Sequence, residues 1–258
     1  MIDDVVLTQV AQQLRSEEPD AIAIVLHGSH ARGEAGFYSD IDLDVMLGSK
    51  PTIPYKMLLL EQEHGRLLHI SIGFRLWSAW QTKQQAPAQW SFSLPVRQPI
   101  RVLWAILGMD RQQLEKSYTQ PTGSAETEDF LECAGKVKNA YLAGDEPGLR
   151  LAAHNLAYLC PSLLISLNAV APVTNQNEAL KAILSFPVAP PHYREDMLVC
   201  LGFAGSATSI TDVYTSALRL ARGVIRLIQS NPAAIAADGT PNIPLYLADG
   251  SIQRYLEQ

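Results

Sequence analysis

Leu26-His27-Gly28-Ser29-His30-Ala31-Arg32-Gly33, followed by Phe37-Tyr38-Ser39-Asp40-Ile41-Asp42-Leu43-Asp44-Val45, is the stretch from which the rest of the chain is read. The apolar run Ala21 to Leu26 before the turn predicts a buried strand. Gly28 then lets backbone approach a ligand closely, and Ser29 sets a hydroxyl beside it. His30-Ala31-Arg32 predicts a helical turn whose free N–H groups and positive end suit a phosphate. Arg32 adds a charge-assisted contact to the same anion. The second half alternates strictly, with Ile41, Leu43 and Val45 on one face of a strand and Asp40, Asp42 and Asp44 on the other. Carboxylates two apart on a strand stand roughly 7 Å apart at their bases, within reach of one or two Mg²⁺ ions. Either half alone reads as a glycine turn or an acidic solvent-facing strand. Together they point to a nucleotide–metal site, because three carboxylates on one face repel unless a cation sits among them.

Gly28-Ser29, Arg32-Gly33 and Ser39-Asp40-Ile41-Asp42 resemble the signature of the nucleotidyltransferase superfamily related to DNA polymerase beta, over about residues 20 to 47. The resemblance implies that Gly28 and Ser29, with Arg32 and Ser39, hold the triphosphate, and that Asp40 and Asp42 hold Mg²⁺. It also implies a third metal-facing carboxylate on a later strand. Leu67 to Leu76 predicts that strand, with His69, Ser71 and Gly73 on one face and Leu68, Ile70, Ile72 and Phe74 on the other. No carboxylate stands there. His69 is then a ligand, or Asp44 substitutes in part, or two carboxylates suffice. Asp44 is a weak substitute, about 13 Å along the strand from Asp40, and imidazole is a poor ligand for Mg²⁺.

Apolar Val5, Val6, Val10, Ala11 and Leu14 predict an amphipathic helix over residues 3 to 15. After a loop from Gly48 to Pro54, Tyr55 to His64 reads as another helix. Ser91 to Val96 reads as a short strand, and Trp77, Trp80, Trp90 and Trp104 as core or edge anchors more than stacking platforms. Gln120-Pro121-Thr122-Gly123-Ser124 is a turn-rich break. The fold expected is α+β: a mixed sheet with flanking helices over 1–120, then a helical bundle with a C-terminal tail over 125–258. Helices are predicted over Thr127 to Ala143, Gly148 to Ala169, Glu178 to Phe186 (capped by Thr174 or Asn177), Tyr193 to Phe203 and Ser209 to Ser230.

Glu132 and Lys136, four apart on the first of these, read by themselves as an exposed ion pair. Leu131-Glu132-Cys133-Ala134-Gly135-Lys136 nevertheless resembles a segment of the kanamycin nucleotidyltransferase family of aminoglycoside adenylyltransferases. That resemblance implies Glu132 as general base, Lys136 as a phosphate contact, and a homodimer sharing its clefts.

The net charge of −6 and the absence of a Lys/Arg run argue against an extended nucleic-acid partner. Cys133, Cys160 and Cys200 match no zinc or disulfide spacing and read as core thiols. The apolar stretch from Leu149 to Val173 is interrupted by Arg150, His154, Asn155, Pro161 and Asn168, so no membrane span is expected, and a cytoplasmic protein is. The function expected is Mg²⁺-dependent transfer of a nucleoside monophosphate from a nucleoside triphosphate, with ATP the expected one, to a hydroxyl of a small acceptor. The resemblance makes that acceptor an aminoglycoside-like amino sugar, with antibiotic resistance as the role. Two alternatives stand beside it: a protein or RNA acceptor, and a nucleotide-binding sensor or scaffold that has lost catalysis.

Overall fold

Ile41, Leu43 and Val45 lie at the middle of a five-stranded mixed sheet in the computed structural model, which describes residues 4–61, 65, 67–82, 92–109, 111–114, 127–205, 208–237 and 243–258. The chain divides into two units, Met1–Gln85 with Arg97–Tyr118, and Ala86–Val96 with Thr119–Gln258. The predicted break at 120–124 and Trp90 lie outside the described residues.

The first unit runs α1 (Asp4–Glu17), β1 (Ala21–His27), α2 (Gly28–Arg32), β2 (Ile41–Leu47), β3 (Tyr55–Glu61), β4 (Leu67–Leu76), α3 (Trp77–Thr82), β5 (Arg101–Ala105) and α4 (Arg111–Leu114). Sheet order is β3-β4-β2-β1-β5, with β2 and β4 parallel and every other pair antiparallel. One face buries Ile24, Leu26, Ile41, Leu43, Val45, Ile70 and Ile72 against Leu7, Val10, Ala11 and Leu14 of α1. The other face is closed only in part, where Ala23, Val25 and Met46 meet Trp80, Ile100 and Leu114. The indole N–H of Trp80 donates to the Leu114 carbonyl at 3.1 Å, so this tryptophan is a core anchor.

Two expected elements differ. Tyr55 to His64 reads as a helix because Lys, Met, Leu and Glu are good helix formers. Tyr55–Glu61 is instead an edge strand paired along its length with β4, exposing alternate residues in the period of a strand; tertiary pairing overrides propensity. Ser91 to Val96 forms no strand in its described part: Phe92 and Ser93 take positive φ (54° and 61°), and only Val96 makes a bridge, to Val173. Pro95 offers no N–H there to continue a ladder. The structure adds β5, which the tryptophan-rich sequence around it conceals.

The second unit is helical: α5 (Thr127–Leu142), α6 (Glu146–Leu164) continued by a 3₁₀ turn (Ile165–Leu167), α7 (Gln176–Ile183), α8 (Tyr193–Cys200), α9 (Ile210–Gln229), α10 (Pro232–Ala237), α11 (Ile243–Ala248) and α12 (Ser251–Glu257). Phe130, Ala134 and Val137 of α5 join Leu156 and Cys160 of α6 and Ala217, Ala221 and Val224 of α9 in one core. Ile243, Leu247, Ile252 and Leu256 extend it, so the tail docks on its own chain. Helix α9 begins with a capping box, Ser209 and Asp212 each accepting from the other's backbone N–H. Helix α7 is capped by Asn175, whose side chain accepts from Glu178 N–H at 2.9 Å, in place of Thr174 or Asn177. All three cysteines are free and buried. Among the described residues no helix is long and apolar enough to cross a membrane.

Candidate functional site

Strand β1 ends at His27, and the chain turns at Gly28, whose φ of +71° lies in the region that favours glycine. Helix α2 follows at once, with no side chain capping its N-terminus, and closes at Gly33. A Cβ on Gly28 would stand 2.2 Å from Oδ2 of Asp42. The glycine turn and the carboxylate strand are therefore in direct contact. Antiparallel pairing sets His27 opposite Asp42, while the parallel ladder places Ser71 of β4 on Asp42's other side.

Asp40 precedes β2 and is about half-exposed, with its Oδ2 3.8 Å from Nδ1 of His69. Asp42 is half-buried, and its carboxyl is pushed above the ordinary carboxylate range, first by burial and then by the negative charge of Asp40. Asp44 is different. It is buried, accepts from Arg75 Nε at 3.0 Å, and lies 3.2 Å from His27 Nε2. Gly73 faces it, and a Cβ there would stand 2.3 Å from Asp44 Oδ1. The charge of Asp44 is thus compensated within the protein, which corrects its reading as a stand-in for a third carboxylate. Asp40 and Asp42 are left as the carboxylates short of positive charge.

Arg32 closes α2, its Nε donating to Glu34 Oε2 at 2.8 Å, which engages one edge of its guanidinium. The Ser39 hydroxyl accepts from the Gly36 N–H at 2.9 Å and closes the loop before Asp40. His30 hydrogen-bonds the Ser39 backbone, which ties α2 to that loop, and burial lowers its pKa. Ser29 begins the turn immediately after Gly28.

In the second unit, Glu132 and Lys136 form an ion pair of 2.8 Å on the surface of α5, each side chain 59% exposed. The carboxylate of Glu132 raises the pKa of Lys136. Gly135 between them is explained by packing: a Cβ would stand 2.3 Å from the hydroxyl of Tyr255 on α12.

Among the described residues no three His, Cys, Asp or Glu side chains converge to hold a metal ion unaided. Two neighbouring carboxylates still fit Mg²⁺, which ordinarily binds through one or two of them and completes its octahedron with substrate phosphates and water. The Asp42 carboxylate, held against Gly28 and raised in pKa, has the unmet negative charge such an ion would balance. His27, Arg75 and Tyr55, whose hydroxyl lies 3.1 Å from Ser71 Oγ, belong to the same sheet face and were not singled out in the sequence. A period-two reading of β4 carried on to Arg75 finds one of them; His27 is found by pairing β1 with β2.

Residues 7–78 match the family model described as nucleotidyltransferase domain. Residues 126–230 match the model described as nucleotidyltransferase, substrate binding domain, of the Ant-IIb type. Comparison with curated proteins finds no match. Among solved structures, a nucleotidyltransferase-like protein from Exiguobacterium sibiricum is similar at 13% identity, with 88% of this chain and 76% of that one covered and a TM-score of 0.41.

Proposed function

We infer that this chain, a nucleotidyltransferase made of a nucleotidyltransferase domain and a substrate-binding domain of the antibiotic-nucleotidyltransferase type, moves a nucleoside monophosphate from a nucleoside triphosphate to a hydroxyl of a small molecule. The observation that carries this reading is the contact between the Gly28 turn and Asp42, which brings the start of α2 against an under-compensated carboxylate.

In this reading Asp40 and Asp42 hold Mg²⁺, which when bound draws charge from the phosphate oxygens. Gly28 and Ser29 lie along the β and γ phosphates, and Arg32 donates to them. Ser39 fixes the loop from which Asp40 projects. Lys136 adds a cation from the substrate-binding domain. Glu132 accepts the proton as the acceptor oxygen bonds to the α-phosphorus; the bond from that phosphorus to the α–β bridging oxygen breaks, and pyrophosphate leaves. ATP is the triphosphate and a hydroxylated amino sugar the acceptor we favour. Three buried, unpaired thiols suit the reducing cytoplasm, where both nucleotide and Mg²⁺ are abundant.

The test is pyrophosphate release with Mg²⁺, each nucleoside triphosphate, and a panel of aminoglycosides and other hydroxylated amines. Release that requires one acceptor and disappears in a folded Asp42→Asn variant supports the assignment. Full activity in that variant refutes the metal role. Nucleotide binding without release from any acceptor would favour the sensor reading, toward which Ser71, in place of a carboxylate beside Asp42, already points.

A further inference from the structure

Helix α9 carries Arg219, Arg222 and Arg226 along one stripe, and all three line an open pocket of about 500 Å³ in the second unit. We propose that this pocket is a binding site for a small phosphate-bearing anion, separate from the nucleotidyl-transfer chemistry and independent of that reading.

Three observations carry it. First, the polar lining consists of donors and hydroxyls: His192, Thr215 and Tyr214 complete the wall, and among the described residues no Asp or Glu lines it, in a chain whose net charge is −6. Second, the arginines are held in place without being used up. Arg219 donates Nε (at 2.8 Å) and Nη2 to the buried carboxylate of Asp196. Arg222 donates Nε and Nη2 to the Leu256 carbonyl at 3.2 and 3.0 Å. A guanidinium has five N–H groups, so each keeps at least one whole amino edge for a ligand. Arg226 meets Glu257 only at 3.5 Å, with both side chains more than half exposed, a contact that an incoming anion displaces readily. Third, the pocket is shaped by close packing. Gly223 lets α9 approach Pro190, where a Cβ would stand 2.6 Å from the proline ring, and Pro191 and Leu218 form an apolar floor. Tyr214 is fixed by stacking on Tyr141, with ring centroids 3.9 Å apart.

Anchored guanidiniums around a partly apolar floor recognise phosphate through charge-assisted, bidentate contacts, with the side-chain ordering already done. Both the pocket volume and the floor exceed what inorganic phosphate fills, so the ligand class is a phosphorylated small molecule.

The experiment is equilibrium dialysis of the full chain with radiolabelled inorganic pyrophosphate in EDTA. Without metal, Asp40 and Asp42 repel the probe from the first unit. Saturable binding of one anion per chain is expected. Arg226→Ala should weaken it at least about tenfold, and Thr215→Glu, which sets a carboxylate in the wall, should abolish it. Both positions are exposed, so melting temperatures should stay near wild type. Arg32→Ala, which removes the phosphate contact proposed for the first unit, should bind as wild type does. No saturable binding, binding unaltered by both pocket variants, or binding lost in Arg32→Ala overturns the proposal. Retention of RNA but not of pyrophosphate also overturns it.

Discussion

Replacing Gly28 with Ala separates the backbone role of this residue from its contact with Asp42. At φ +71° an L-residue costs about 1–2 kcal/mol relative to glycine. For a chain of this size that is a drop in melting temperature of roughly 2–8 °C. Gly108, at φ +85° with nothing near its missing Cβ, carries the same backbone penalty, and it follows the end of β5 that pairs beside Ala23, far along β1 from His27. Gly108→Ala and Gly28→Ala should therefore lose similar stability. Only Gly28→Ala sets a methyl 2.2 Å from the Asp42 carboxylate, which must swing away by about 1 Å. A displacement of that size at a reacting centre costs on the order of 100-fold in rate. The assay pairs thermal unfolding with Mn²⁺ titration by electron paramagnetic resonance and with nucleotidyl transfer. Gly28→Ala should lose Mn²⁺ binding and transfer, and Gly108→Ala should keep both. Normal Mn²⁺ binding by Gly28→Ala, or equal loss in the two variants, would refute the link between this turn and the carboxylates.

Asp44→Asn removes the charge that Arg75 and His27 share. Because the Arg75 side chain is half-exposed and can rehydrate, the loss should be about 1–3 kcal/mol in urea unfolding, and an unchanged midpoint would make the network idle. Glu132→Gln should lower the transfer rate far more than nucleotide affinity and leave stability untouched; an unaltered rate returns Glu132 to a surface ion pair. Gly135→Ala should fail to give the roughly 1 kcal/mol that Ala gains over Gly in a helix, because the methyl meets Tyr255 Oη. In a Tyr255→Phe background that gain should reappear, and a double-mutant cycle with no coupling would exclude the contact. Burial pushes the Cys200 thiol up to about 12 from an ordinary 9.0. The unfolded chain then releases this proton at lower pH than the folded one, so stability should fall as pH rises from 9 toward 12. Cys200→Ala should flatten that fall in alkaline unfolding curves.

Strands β2 and β4 are legible because each has one buried and one polar face, and period two survives in the residues themselves. Strand β3 is not. Its residues favour helix, and as an edge strand it buries neither face fully, so only its pairing with β4 decides its conformation. The glycine turn and the aspartates can be placed together from sequence because strands close in the chain tend to pair. What becomes of Asp44 cannot, since its partners lie 17 residues before it and 31 after it and depend on register. Gly135 shows the same limit: a helix-weakening residue is visible, but the tyrosine 120 positions on that requires it is not.

The place of β2 in the sheet has a consequence for amide hydrogen exchange. This strand is hydrogen-bonded on both sides, to β1 and to β4, whereas β3 and β5 each have a single neighbour. Edge amides exchange through local fraying, but those of β2 become accessible only when the sheet opens as a whole. Asp42 therefore rides on one of the three interior strands, β4, β2 and β1, whose amides should exchange more slowly than those of the edges. A cation arriving there meets carboxylates already positioned, and its association should follow diffusion and charge rather than a prior rearrangement of the backbone.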